Sequence, residues 1–486
     1  MSWRPLPGVR GTRFRLYPQW NEGWTEPELV TVSSPRGSLQ PGPSGPTLYA
    51  ILPLDKQGPY DPPMYGPPYD GPCAPAPEPD PAGDFDHLDF HSPQFLPVHL
   101  FGCVRRTLDV WEGYLGRRVT WWHADVHPRL ELGALLQWNN AQSGPGFIET
   151  GIRTNDQGER QLFALNYDVV AHETGHTILF AEIGVPPPQR ISAQFLAFHE
   201  SFADLVALVG SLHFPSVTMR LLEQTAGNLY VLNLISRIGE MSQVAQIRTA
   251  DNTVTMRDVE GLRLLSDGSW YDPIGEDRNA HALAQPLTGA MFDLFVEIYQ
   301  DGLDVRGALP PGADARAWTR HQAEARLPHG HAAMERAMAL FGDAFYAALA
   351  DARDVLGGCM GHVMRSIEPD AVTFDRVAGL VLEAAIEQGW RHLLPELTET
   401  FLLRGIDPGP TLRTRRPPST AEWRRLPYAE RARRVAIASL SVHGGRGCQC
   451  GEGSFLHAHR LIRHPHRAEG RPVWGSAAPM PGQGWS

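Results

Sequence analysis

The stretch that decides the fold is Asp168-Val169-Val170-Ala171-His172-Glu173-Thr174-Gly175-His176. Asp168 suits an N-cap, and Val169, Val170, Ile178 and Leu179 supply one apolar side, so residues 163–182 read as a helix. Gly184 and Pro186-Pro187-Pro188 end it. Side chains four apart on a helix are separated by about 400° of rotation and about 6 Å of rise, so His172 and His176 leave the same face. Two imidazoles so placed reach one tetrahedral cation, and Glu173 lies beside them to handle a proton. A helix with two solvated histidines has the same spacing.

The next segment narrows that choice. Glu200 follows His176 by twenty-four residues, in Phe198-His199-Glu200-Ser201-Phe202-Ala203-Asp204. Leu196, Ala203, Val206, Ala207 and Val209 give residues 191–213 the apolar side of a second helix. Glu200 and Asp204 share a face of it. Carboxylates on a core-facing stripe are rare unless they are paired or hold a cation. Glu200 would complete a His2Glu ligand set that leaves a fourth position for water. Asp204 suits the ring N–H of a ligand histidine.

These two segments resemble the thermolysin-type gluzincin metallopeptidases, whose pattern is D-V-V-A-H-E-x-x-H followed by E-x-x-x-D on the next helix. The resemblance spans roughly 90–406 and is densest at 168–204. It implies an α+β, two-lobed zincin: a small mixed sheet with the active-site helix, then a mostly helical lobe. It also implies a zinc-dependent endopeptidase that hydrolyses peptide bonds with His172, His176 and Glu200 as ligands and Glu173 as general base. Asn140 and Ala141, in Trp138-Asn139-Asn140-Ala141, match the family's edge strand over the cleft, although Asn-Asn also suits an ordinary turn. Arg263, in Leu262-Arg263-Leu264-Leu265-Ser266-Asp267, matches the arginine that binds the substrate carbonyl, or else pairs with Asp267. His281 matches the histidine that donates to the oxyanion. The family often has asparagine where this chain has His199. Calcium sites are expected of the family but map to no residues here.

Composition bounds the alternatives. A chain of 486 residues has ample material for a large core. A net charge of −11 argues against nucleic acid or an anionic membrane as partner; the expected partner is a peptide or protein substrate and the expected state a monomer. Lys56 is the only lysine, so 42 of the 43 basic residues are arginine. Five scattered cysteines form no disulfide framework, and no apolar run reaches membrane-span length. The first residues lack the apolar core of a secretory signal, which implies a cytoplasmic protein or export by another route.

In chain order, residues 1–84 form a Pro/Gly-rich extension wrapping the body, with strands expected at 28–32 and 47–54. Residues 85–185 form the α+β lobe, with a helix over 93–116 and a strand over 118–123. Residues 186–406 form the helical lobe, with helices over 217–239, 332–350, 352–366, 373–388 and 390–403 and an irregular insertion over 300–332. Residues 407–486 read as a basic tail; its Cys448-Gln449-Cys450 and neighbouring histidines fit no common zinc module. Two other function classes compete: a zinc-stabilised pseudo-peptidase that binds without cleaving, and an interaction protein with no metal. Among enzymes, an aminopeptidase is the alternative, although no acidic anchor for a free amine is evident.

Overall fold

The N-terminal extension is part of the body in the computed structural model, which describes residues 10–19, 26–62, 64–136, 138–154, 160–230, 233, 235, 237–238, 248–259, 263–264, 270–271, 280–309, 320–409 and 421–443. Strand β1 (Gly11–Leu16) pairs antiparallel with β2 (Glu28–Pro35). Phe14, Leu16, Val30 and Val32 are buried and pack with helix α1 (Phe95–Leu115), where Phe14 stacks on Phe101 at 5.7 Å. A Cβ at Gly102 would lie 2.6 Å from the Leu16 side chain, so glycine permits this approach. His99 ties three segments together. Its Nε2 accepts the Tyr17 N–H at 2.8 Å, and its Nδ1 donates to the Ala164 carbonyl at 2.7 Å. Burial lowers its pKa to about 4.

Strands β3 (Leu48–Ile51), β4 (Leu130–Leu136), β5 (Ala141–Gly144) and β6 (Phe147–Thr154) form a sheet in the order β3-β4-β6-β5, and β7 (Arg160–Leu162) also pairs with β6. The β3–β4 and β4–β6 pairs are parallel and β5–β6 is antiparallel, which leaves β5 at the edge. The strand expected over 118–123 is instead a loop and turn. Tertiary partners take its polar groups: the Val119 N–H goes to Glu112 at 3.1 Å and the Trp121 indole N–H to the Thr47 carbonyl at 2.8 Å.

The rest of the described chain is mainly helical. In order come α2 (Tyr167–Glu182), α3 (Ala193–Ser211), α4 (Pro215–Thr225), the two-residue strands β8 (Arg237–Ile238), β9 (Arg248–Thr249), β10 (Arg263–Leu264) and β11 (Trp270–Tyr271), then α5 (Ala280–Val305), α6 (Arg320–Ser366), α7 (Phe374–Glu387), α8 (Leu394–Leu402), α9 (Ala421–Arg425) and α10 (Tyr428–His443). The chain is therefore α+β. Met1–Gly451 is one compact unit; among the described residues its main core runs from Phe14 to Ala438, beside a small cluster of Ala141, Phe163 and Val169.

Several boundaries differ from the sequence expectation. Asn166 holds the cap position of α2, and Asp168 lies inside the first turn, its carboxylate accepting its neighbour's N–H at 2.8 Å. The helix expected over 217–239 stops at Thr225, because Ala226 and Gly227 adopt φ of 50° and 78°. Residues 300–332 are not wholly irregular: α5 continues to Val305 and α6 begins at Arg320. The two helices expected over 332–366 are one element bent at Phe341. In the region expected to be a tail, α9 and α10 pack on the body, with Trp423, Val435 and Ala438 buried. Trp423 fills the space that a side chain at Gly184 would need.

Candidate metal centre

Close packing of two helices builds the site. A Cβ at Gly175 of α2 would lie 3.0 Å from the Ala203 Cα and 3.1 Å from the Val206 Cβ of α3, so glycine lets the backbones approach. That approach brings His172 and His176 against Glu200. The two Nε2 atoms are 3.1 Å apart. Glu200 Oε1 lies 3.3 Å from His176 Nε2, and Oε2 lies 3.6 Å from His172 Nε2. Bonds of about 2.0–2.1 Å at tetrahedral angles place ligand atoms about 3.3 Å from one another. The two Nε2 atoms and the two carboxylate oxygens stand apart by distances on that scale, and one ligand atom from each residue lies within 4.8 Å of the others, so His172, His176 and Glu200 could hold one metal ion.

The surrounding groups suit the same reading. The ring Nδ1–H of His172 donates to Asp204 Oδ1 at 2.8 Å. That fixes the proton on Nδ1 and leaves the Nε2 lone pair facing the other two ligands. Burial alone would lower the pKa of His176, but the Glu200 carboxylate outweighs it and the net shift is upward. Burial opposes ionisation of Glu200 too, yet His281 and His176 hold its carboxyl well below the ordinary range. Glu173, one position along α2 from His172, is 4% exposed, and its Oε2 has no hydrogen-bond partner among the described residues. A buried carboxylate oxygen left unsatisfied is costly unless something else occupies the space beside it.

His281 is the second residue of α5, and its Nδ1 contacts Glu200 Oε2 directly. With Nδ1–H given to that carboxylate, Nε2 can donate to an oxyanion only when the ring carries both protons. Ala141 opens the edge strand β5 and packs with Phe163 and Val169, the latter on α2. The Asn140 carbonyl accepts the Gly151 N–H at 2.9 Å, continuing the β5–β6 pairing. The backbone of Arg263 lies in β10, opposite Tyr271; its side chain, Asp267 and Cys448–Cys450 lie outside the described residues.

His199 has no role in the sequence reading, and the structure stacks it on His176. Its ring stacks on His176 at 5.9 Å with planes 10° apart, within Phe180, Phe195 and Phe198. Neither ring nitrogen has a hydrogen-bond partner, and burial drives its pKa well below the ordinary value. Its position beside Glu200 was the only sequence signal. A second acidic group, Asp80, Asp84 and Asp86, is a poor calcium candidate. Asp84 already pairs with Arg13 at 2.9 Å and with Arg36, and Asp80 accepts the N–H groups of Ala82 and Asp84.

No family model and no curated protein matches the chain. Among solved structures, one that resembles it is the precursor of protealysin, a metalloproteinase from Serratia proteamaculans. The two share 13% identity over 75% of this chain and 89% of that one, with a TM-score of 0.42. A likeness that distant carries no argument about activity, so the reading of the site rests on its own geometry.

Proposed function

We propose that the protein is a zinc-dependent endopeptidase. The observation that carries this reading is the meeting of three ligand atoms from α2 and α3 beside a buried, unpartnered Glu173 oxygen. The donor set, two imidazoles and one carboxylate, is that of catalytic rather than structural zinc, because it leaves a coordination position open. Zinc bound there would lower the pKa of water to about 7 and polarise a carbonyl.

The chain's own residues supply the rest. Glu173 accepts a proton from the attacking water and passes it to the leaving amine. Asp204 keeps the His172 ring in the ligating tautomer. With both ring nitrogens protonated, His281 keeps Nδ1–H on Glu200 and offers Nε2–H to the oxygen on which charge collects, as Arg263 would in the family's arrangement. The free edge of β5, beginning at Asn140 and Ala141, offers backbone groups to an extended peptide. The test is cleavage of a peptide library by the wild type and by Glu173→Gln, with zinc quantified in both. Equal turnover in the two, at equal zinc content, rules the mechanism out.

A non-cleaving, zinc-stabilised scaffold is the second reading. The observation favouring it is that the site is closed: His172 is 7% exposed and Glu200 fully buried.

A further inference from the structure

That closure has an identifiable cover. We propose that helix α10, Tyr428–His443, lies in the substrate groove of the metal centre and holds the site shut, so that the chain is a latent hydrolase. This rests on the peptidase reading above and adds its regulation.

Helix α10 packs against the edge strand β5, the turn Pro188–Arg190, α3 and α5. Three of these elements carry residues assigned to the site: Ala141 on β5, Glu200 on α3 and His281 on α5. Strand β5 belongs to the sheet side of α2, while α3, with Glu200, and α5, with His281, belong to the helical side. An element that touches both sides crosses the space between them. An extended peptide pairing with the β5 edge needs that same space.

The helix is built to seat there. Arg431, Val435 and Ala438, spaced four and three apart, are its buried stripe. One end is pinned: Arg431 pairs with Asp125 at 2.5 Å, Arg434 donates to the Val185 carbonyl at 3.4 Å, and Tyr428 stacks on Trp122 at 6.2 Å. The seated face is thus small and apolar, with its charged anchors at one end. Such a helix can be released without unfolding the core beneath it. Glu173 supports the same conclusion, since a general base that is 4% exposed cannot meet a peptide until something moves.

The test uses the full zinc-loaded chain and reads three quantities. These are the rate of zinc loss to excess EDTA, hydrogen exchange over 428–443, and peptide turnover. Arg431→Asp places an acid opposite Asp125 and should raise exchange in α10, with zinc loss and turnover each faster by about tenfold. Asp125→Arg alone should do the same. Combining the two restores the pair with its signs reversed and should return all three readings toward the wild type. Should Arg431→Asp fail to fold, Ala438→Glu, an acid in the small apolar face, carries the same expectation.

Raised exchange in α10 with zinc loss unchanged overturns the cover. Measurable wild-type turnover equal to that of the released forms also overturns it, while leaving the peptidase reading intact. Faster zinc loss on release, with no form cleaving any peptide, upholds the cover and removes the peptidase reading.

Discussion

Two clusters of buried charge lie near the β5–β6 hairpin, and they are finished differently. On the face opposite Ala141, Lys56 pairs with Glu149 Oε1, while Glu149 Oε2 accepts the Tyr60 N–H at 2.7 Å and the Gln142 amide at 3.0 Å. Glu131 beside it accepts the Tyr49 hydroxyl at 2.6 Å, the Tyr69 N–H at 3.0 Å and the Tyr60 hydroxyl. Every carboxylate oxygen there has a donor, and Lys56 supplies a cation to one of the two carboxylates. At the metal centre Glu200 meets imidazoles, which carry charge only when protonated, and Glu173 keeps an oxygen with no donor. The first cluster is complete within the protein and staples residues 56–69 to the sheet. On the function proposed above, the second would be completed by a cation, with a substrate beside it. Burial alone does not distinguish a structural acid from a functional one; the completeness of its partners does.

Predictions follow that contrast, largest effect first. Glu173→Gln should lower peptide turnover by about 10²–10⁴-fold with zinc content and unfolding midpoint nearly unchanged. Steady-state kinetics with elemental analysis checks it. Lys56→Ala should lower stability by about 3–5 kcal/mol, because it leaves Glu149 buried without its cation. Denaturant melts should show that loss equally with and without a chelator, whereas the wild type itself should lose stability when zinc is removed. If the Lys56→Ala deficit depends on zinc, the two clusters are coupled and the comparison breaks.

The next two effects are smaller and depend on pH. His172 and His176 must be neutral to bind metal, and Glu200 raises the pKa of His176 above 6.5 in the metal-free centre. Zinc should therefore be held at pH 8 and progressively lost as pH falls through neutrality, with competing-chelator titrations giving the profile; full retention near pH 4 would contradict the site. His99 acts on stability instead. Its folded pKa of about 4 lies below the unfolded 6.5, so the unfolded chain binds the extra proton. The stabilisation from its neutral ring is present above pH 6.5 and is lost as pH falls toward 4, about 3 kcal/mol in all. His99→Gln should flatten that part of the stability curve. Tyr60→Phe, which removes one hydroxyl from Glu131, should cost about 1–2 kcal/mol and leave zinc binding alone.

How much was legible beforehand follows from the range of each interaction. His172, His176, Glu200 and Asp204 were readable because a helix converts spacing into direction, and two helical periods already put each pair on one face. Strands at 28–32 and 47–54 were readable from their β-branched and aromatic runs. The 118–123 segment was not, since its partners, Glu112 and Thr47, are set by contacts that periodicity does not encode. Lys56 could be noticed only as the lone lysine; its partner Glu149 is 93 residues away. Helix α10 was missed because its buried stripe is short and includes an arginine, which looks like surface until Asp125 is placed opposite it.

The sequence by itself determined which atoms can bind a cation, because covalent spacing along a helix is local and needs no other part of the chain. Tertiary structure decided that the two helices meet at Gly175, that His199 stacks on His176, and that a later helix packs against β5, α3 and α5. Those outcomes depend on which surfaces find one another, a choice made by the whole apolar core and not by any one segment.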